Sequence, residues 1–286
     1  MLPRLKAASS LMNKVDRLDW AVGFSLKSYG VRIGIRSNDP AALVSARRHL
    51  PSDWEVLSSP LVDRIYSILI GSKGSRANGR RSNQLYGDDV RLARSFDLDE
   101  LYERLESDLR LFVAELARHR VFVHAGVVGW KGQAIVIPGR SYSGKSTLVA
   151  ELVRSGATYY SDEYAVLDSR GRVHPYARPL GMRSPGSDRA QKVKAEDIGA
   201  TIGSKPLRVG LVLSTKFKAG ARWRPREITH GKGVLELMSN TVAARSQPER
   251  ALTVLPAALR SARILKGVRG EAGEIVEAIL STDYAD

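Results

Sequence analysis

The sequence predicts an α/β protein: a mixed-sheet domain over 97–286, preceded by a smaller α+β domain over 1–96 that is a candidate for substrate or partner recognition. Three observations predict it. Ala134-Ile135-Val136-Ile137 is a short apolar run of the buried-strand kind and leads into Pro138-Gly139. Leu148, Val149, Leu152 and Val153 follow at helical spacing, with Gly156 placed as the helix stop. Between run and helix lies Gly139-Arg140-Ser141-Tyr142-Ser143-Gly144-Lys145-Ser146-Thr147, which fits Gly, four residues, Gly-Lys-Ser, the phosphate-binding P-loop pattern.

The elements follow in order. Val31, Ile33 and Ile35 alternate within Tyr29–Arg36 and predict a strand. Asp39-Pro40 predicts a helix start, the aspartate as cap and the proline in the first turn, running to about Leu50. Strands are expected at Arg64–Ile70 and Leu85–Ala93, separated by a polar, glycine-rich loop. Asp97-x-x-Glu100 resembles a capping box, and Leu101, Leu105, Leu109, Leu111, Phe112 and Leu116 continue a long amphipathic helix to about Arg118. Val121–Val128 reads as a strand that turns at Lys131-Gly132 into the strand feeding the loop. A hairpin at that place is unusual, because parallel sheets join their strands by helical crossovers. Tyr159-Tyr160 is a further strand ending at Asp162-Glu163, and Ser169-Arg170-Gly171 turns the chain back. Leu207–Thr215 and Ile264–Val268 are expected as strands, with helices within His230–Ala244, Glu249–Ala262 and Glu271–Leu280. There are no internal repeats.

Composition narrows the function classes. The chain has 286 residues and no cysteine, which excludes disulfides and thiolate metal sites. No apolar run approaches a membrane span, and Met1–Arg17 lacks the apolar core of a signal peptide, so a soluble, cytoplasmic protein is the expectation. Lys and Arg number 45 against 30 Asp and Glu, a net charge of +15 that favours anionic partners. The excess is concentrated at Lys73–Arg81 and between Arg178 and Arg226, where ordinary solvated surface is the competing reading. Trp223, in Arg222-Trp223-Arg224-Pro225-Arg226, could stack on a base or a peptide, or simply pack.

The chemistry is carried by the loop and the acids. Gly139 and Gly144 let backbone wrap a phosphate without a Cβ in the way. The loop N–H groups then converge on the anion at a helix N-terminus. Lys145 is expected to bridge the β- and γ-phosphates of ATP and the Ser146 hydroxyl to join a Mg2+ shell. Asp162 and Glu163 follow the loop helix at a strand end, where metal and nucleophile chemistry belongs; solvated acids are the other reading. Phosphoryl transfer needs a base near the acceptor, and Asp162 is the candidate. His124 could share that role or contact phosphate when protonated, although a lone histidine on a strand is more often structural.

With His124-Ala125-Gly126, the hairpin, the loop and Ser161-Asp162-Glu163 assembled, the region Val121–Val173 resembles the C-terminal domain of HPr kinase/phosphorylase, a P-loop fold related to phosphoenolpyruvate carboxykinase. The resemblance implies ATP and Mg2+, with His124 near the transferred phosphate, Asp162 as base and Glu163 holding the metal beside Ser146. It departs at Tyr142, where the family usually has glycine, at Glu163 in place of aspartate and at Ala125. A Glu-x-Arg-Gly-x-Gly stretch is missing, Arg269-Gly270-Glu271 being a weak echo, which argues against HPr as substrate. The implied function is a kinase for a hydroxyl, Ser first, on another protein or peptide. The alternatives are a small-molecule (amino acid or sugar) kinase of the same fold and a nucleotide-gated protein that docks an acidic partner or nucleic acid. A homo-oligomer is compatible with the sequence.

Overall fold

Side chains on a strand alternate between its two faces, and in this chain that alternation builds separate cores in two units. The computed structural model describes residues 6–7, 14–51, 53–71, 82–139, 143–182 and 191–282. The expected loop and basic stretch around 72–81 and the loop residues Arg140, Ser141 and Tyr142 lie outside the described residues. The chain is mixed α/β with six α-helices among the described residues.

The first unit spans Met1–Arg118. Its strands are β1 (Lys6–Ala7), β2 (Val22–Ser28), β3 (Val31–Ser37), β4 (Trp54–Leu57), β5 (Leu61–Val62), β6 (Arg64–Leu69), β7 (Asn83–Gly87) and β8 (Val90–Ser95). Six of them form a sheet in the order β4-β2-β3-β6-β7-β8, with β3 and β6 parallel and the other neighbours antiparallel; β1 and β5 form a parallel pair. Helix α1 (Pro40–Ala46) starts as expected: the Asp39 carboxylate accepts the N–H groups of Ala41 and Ala42 and Pro40 fills the first turn. A 3-10 turn over Arg47–His49 replaces its expected last turn. The segment Leu85–Ala93, expected as one strand, is a hairpin, because Asp88 adopts φ 54° and reverses the chain after Gly87.

Helix α2 (Leu98–Leu116) buries Leu101, Leu105, Leu109 and Val113 in the same cluster as Leu26, Ile33, Ile35, Tyr66 and Leu85. The boundary therefore falls after Arg118 and not at 96/97: the apolar stripe of α2 completes the core of the N-terminal sheet. The capping box is partial. Asp97 accepts the Asp99 N–H, while the Glu100 carboxylate accepts the Ser95 hydroxyl.

The second unit spans His119–Asp286. It contains β9 (Val121–Trp130), β10 (Gln133–Pro138), α3 (Lys145–Arg154), β11 (Thr158–Ser161), β12 (Tyr164–Leu167), β13 (Val173–His174), β14 (Leu180–Met182), β15 (Gln191–Val193), β16 (Val209–Phe217), β17 (Arg226–Glu227), α4 (His230–Met238), α5 (Pro248–Leu259), β18 (Arg263–Arg269) and α6 (Val276–Leu280). The main sheet runs β13-β12-β9-β10-β16-β18-β17, and β11 also pairs with β9. Strands β10, β16 and β18 are mutually parallel, whereas β9 is antiparallel to β10 through a turn at Lys131-Gly132, both at positive φ. The sheet is buried on both faces. Val123, Ala125, Val127, Val136 and Val212 join Leu237 of α4 and Val254, Leu255 and Leu259 of α5. Val128, Ile135, Ile137, Leu211 and Leu213 join Leu148, Val149 and Leu152 of α3 and Val276 and Ile279 of α6.

Candidate functional site

Strand β9 positions the first site residue. Its odd-numbered residues face α4 and α5, so His124 and Gly126 share the opposite face with Val128, toward α3. Gly126 lets that helix approach: a Cβ there would lie 2.5 Å from Val149 Cγ2. The backbone carbonyl of His124 accepts the N–H of Gly139 at 3.1 Å, which ties the end of β10 to β9 where the loop begins.

Lys145 and Ser146 open α3. Gly144 precedes them at φ 80°, a left-handed conformation suited to glycine, and among the described residues no side-chain hydrogen bond caps the helix. The N–H groups of a helix's first turn point out along its axis, toward where an anion would sit. Ser143 adds a second sign of such a guest, because its Oγ is buried with no hydrogen-bond partner among the described residues.

The acids arrive from the other side of β9. Strand β12 pairs with Val121–His124, β11 pairs farther along, and the chain crosses between them at Asp162-Glu163. Ser161 Oγ fixes the corner by accepting the N–H groups of Glu163 and Tyr164, and the Glu163 carbonyl accepts Ala125 N–H at 3.1 Å. Asp162 then reaches the head of α3. Its Oδ2 accepts the Ser146 hydroxyl at 2.9 Å and Gly181 N–H at 3.0 Å, and the Tyr159 hydroxyl stands 3.3 Å from Oδ1. The Tyr159 proton is shared with the nearer Arg178 carbonyl, 2.8 Å away, and burial beside Asp162 raises the phenol's pKa and keeps it a donor. Glu163 stands 3.9 Å from Arg178 Nε.

Electrostatics join these groups. Burial lowers the pKa of Lys145, with Asp162 and Glu163 pulling against the shift. Burial also lowers that of His124, and the Lys145 charge adds to it, so the imidazole is neutral near pH 7. The phosphate contact expected of a protonated His124 is thus disfavoured by its own surroundings. The ring lies 4.7 Å from that of Tyr164.

His124, Ser143, Gly144, Lys145, Ser146, Asp162 and Glu163 are therefore neighbours around one loop. Among the described residues no group of three or more His, Asp or Glu forms a ready metal cage. Mg2+ does not require one, since it takes one or two carboxylates and fills its octahedron with phosphate oxygens and water. Ser146 with Asp162 or Glu163 fits that modest demand.

Arg178, Gly181 and Arg269 escaped the sequence reading as site residues. Arg269, only 2 % exposed, donates from Nη2 to the Gly144 carbonyl at 2.9 Å and from Nη1 to the Gly270 carbonyl at 3.0 Å. The register of β18 against β16 brings it there from 125 residues away, which no local pattern signals. No family model matches the chain, and no curated protein matches it in sequence.

Proposed function

We propose that the chain is an ATP- and Mg2+-dependent kinase that transfers the terminal phosphoryl group to a hydroxyl, Ser first, of a protein or peptide other than HPr, on a P-loop fold of the HPr kinase kind. The observation that carries this reading is the 2.9 Å bond from Ser146 Oγ to Asp162 Oδ2 at the head of α3, beside Lys145. A glycine-flanked loop alone could be a turn between core elements. Its hydroxyl held by an acid from a different strand end, next to a partly buried lysine that feels the charge of both acids, is what phosphate and metal positioning needs.

In this reading the first-turn N–H groups and Lys145 hold the β- and γ-phosphates. Ser146 with Glu163 would hold Mg2+, which would supply positive charge against the transferred group. The acceptor oxygen forms its bond to phosphorus as the bridging bond to ADP breaks. Asp162 takes the acceptor's proton: a carboxylate has about four acceptor positions, and three donors approach this one. Neutral His124, on the α3-facing side of β9, would assist as acceptor of a proton. The antiparallel β9–β10 hairpin ahead of the loop supports the HPr kinase-like fold over nucleotide-binding folds whose strands are joined by helical crossovers.

The test is transfer of labelled γ-phosphate from ATP with Mg2+, comparing wild type with Lys145→Ala and Asp162→Asn. Label in a protein or peptide fraction, lost in both variants, is the expected result. Label confined to small solutes would move the acceptor to the small-molecule class. No turnover with any acceptor, and no difference from the variants, would sink the kinase reading.

A further inference from the structure

The chain between Lys216 and Leu235 holds six Lys or Arg residues and one acid, Glu227, which stands 3.0 Å from Arg263. Lys216, Lys218, Arg222, Arg224, Arg226 and Lys232 are all exposed. All but Lys232, which lies in α4, ride on one connection. Strand β16 ends at Phe217, the chain turns through Lys218–Ala221 with Gly220 at φ 71°, and it returns as β17 along β18.

This connection, which carries the chain from β16 past the end of β18 to β17, is fastened to the phosphate loop. Arg269, whose guanidinium holds the Gly144 carbonyl, accepts Lys218 N–H on its own carbonyl at 2.9 Å. The same guanidinium lies over the Phe217 ring, 5.5 Å from its centre. Gly270 completes the fit, because a Cβ there would fall 2.5 Å from the Ala221 carbonyl oxygen. Lys218 is thus one residue's reach from the arginine that shapes the cradle, and its exposed charge faces water at the carboxyl ends of β16 and β18, where ligands of such sheets gather.

We propose that this basic β16–β17 connection docks an acidic peptide segment, the Asp and Glu residues flanking the phosphoacceptor. The identity of the occupant as an acceptor rests on the kinase reading; the docking itself does not. Charge complementarity selects carboxylates or phosphates. Of the two aromatics, Trp223 favours a peptide over nucleic acid: it is partly buried, its ring packed where a Gly267 Cβ would lie 3.0 Å away, whereas Phe217 is exposed with one face covered by Arg269. Open aromatic platforms for stacking are what single-stranded nucleic acid requires.

The experiment measures fluorescence anisotropy of a labelled Asp/Glu-rich peptide containing one Ser against the full chain, beside a Gly/Ser peptide and a single-stranded DNA of equal charge. The acidic peptide is expected to bind, and Lys218→Glu/Arg222→Glu/Arg224→Glu to weaken it by roughly tenfold or more while changing the affinity for a fluorescent ATP analogue by less than about twofold. The neutral triple variant with Gln at the same positions substitutes if the reversed one fails to fold. Unchanged peptide affinity in the variant, or no preference over the Gly/Ser peptide, overturns the proposal. DNA bound more tightly than the peptide, with the same loss in the variant, overturns it in favour of a nucleic-acid surface. Absence of nucleotide binding would instead strike the kinase reading and leave the peptide result standing.

Discussion

Ser146 and Asp162 come from different elements, a helix start and a strand-to-strand corner, yet Oγ and Oδ2 are 2.9 Å apart. Replacing Asp162 by Asn keeps an oxygen for the hydroxyl but removes the charge and the base. The expected outcome is a fall in phosphate transfer of about 10²- to 10⁴-fold, with nucleotide affinity far less affected. Single-turnover transfer and equilibrium binding of a nucleotide analogue check the two halves separately. Ser146→Ala is expected to act differently, raising the Mg2+ concentration needed for half-maximal rate.

Arg269 makes a prediction about the cradle's shape. Its fork satisfies two carbonyls at once, those of Gly144 and Gly270, and a lysine cannot span both. Arg269→Lys is expected to cost about 1.5–3 kcal/mol, the usual worth of hydrogen bonds to a charged group, and to weaken nucleotide binding with it. Urea unfolding and analogue binding on the same protein measure both. A variant that loses stability but binds nucleotide unchanged would show that Arg269 supports only the fold.

The approach of α3 to β9 depends on an absent side chain at Gly126. Gly126→Ala places a methyl within 2.5 Å of Val149 Cγ2 and is expected to destabilise by about 1–3 kcal/mol, as overpacking does. Val149→Ala in the same chain makes room. The double variant should recover part of the loss, and a thermal-unfolding double-mutant cycle with no coupling between the sites would refute the packing account.

How much of this was legible in the sequence follows from the range over which each signal acts. Local chemistry read correctly: the Asp39 cap, the Lys131-Gly132 turn, Gly156 at φ 96° after α3 and the strands at Val121 and Gln133. The hairpin at Asp88 did not, because a single aspartate at positive φ interrupts an otherwise strand-like run. The assignment of α2 failed for another reason. An amphipathic stripe states that a helix will pack but not against which sheet, and Leu105 and Leu109 chose the one before them. At the site, the residues of the loop and the Asp162-Glu163 corner were legible as motifs. Arg269, Gly181 and Arg178 were not, since strand register and a connecting loop deliver them from a distance.

The pH dependence of stability combines two groups with the same sign. Burial would raise the Asp168 carboxyl, but hydrogen bonds from His174, from the N–H groups of Arg172 and Arg170 and from the Arg172 side chain hold it at about 2, below its ordinary 3.8. The unfolded chain then binds a proton more readily than the folded one, so stability present above about pH 4 is lost as pH falls toward 2, by about 2 kcal/mol. His124 is also depressed, from 6.5, by burial and by Lys145. Below pH 6.5 the unfolded imidazole charges first, so stability falls in that earlier window too. Denaturant unfolding from pH 8 down to pH 3 should therefore show two descending stretches. His124→Gln is expected to flatten the upper one and leave the lower, and Asp168→Asn the reverse, with a cost of roughly 2 kcal/mol at pH 7 for the lost carboxylate bonds. A wild-type profile level between pH 7 and pH 5 would mean that His124 is not held neutral beside Lys145.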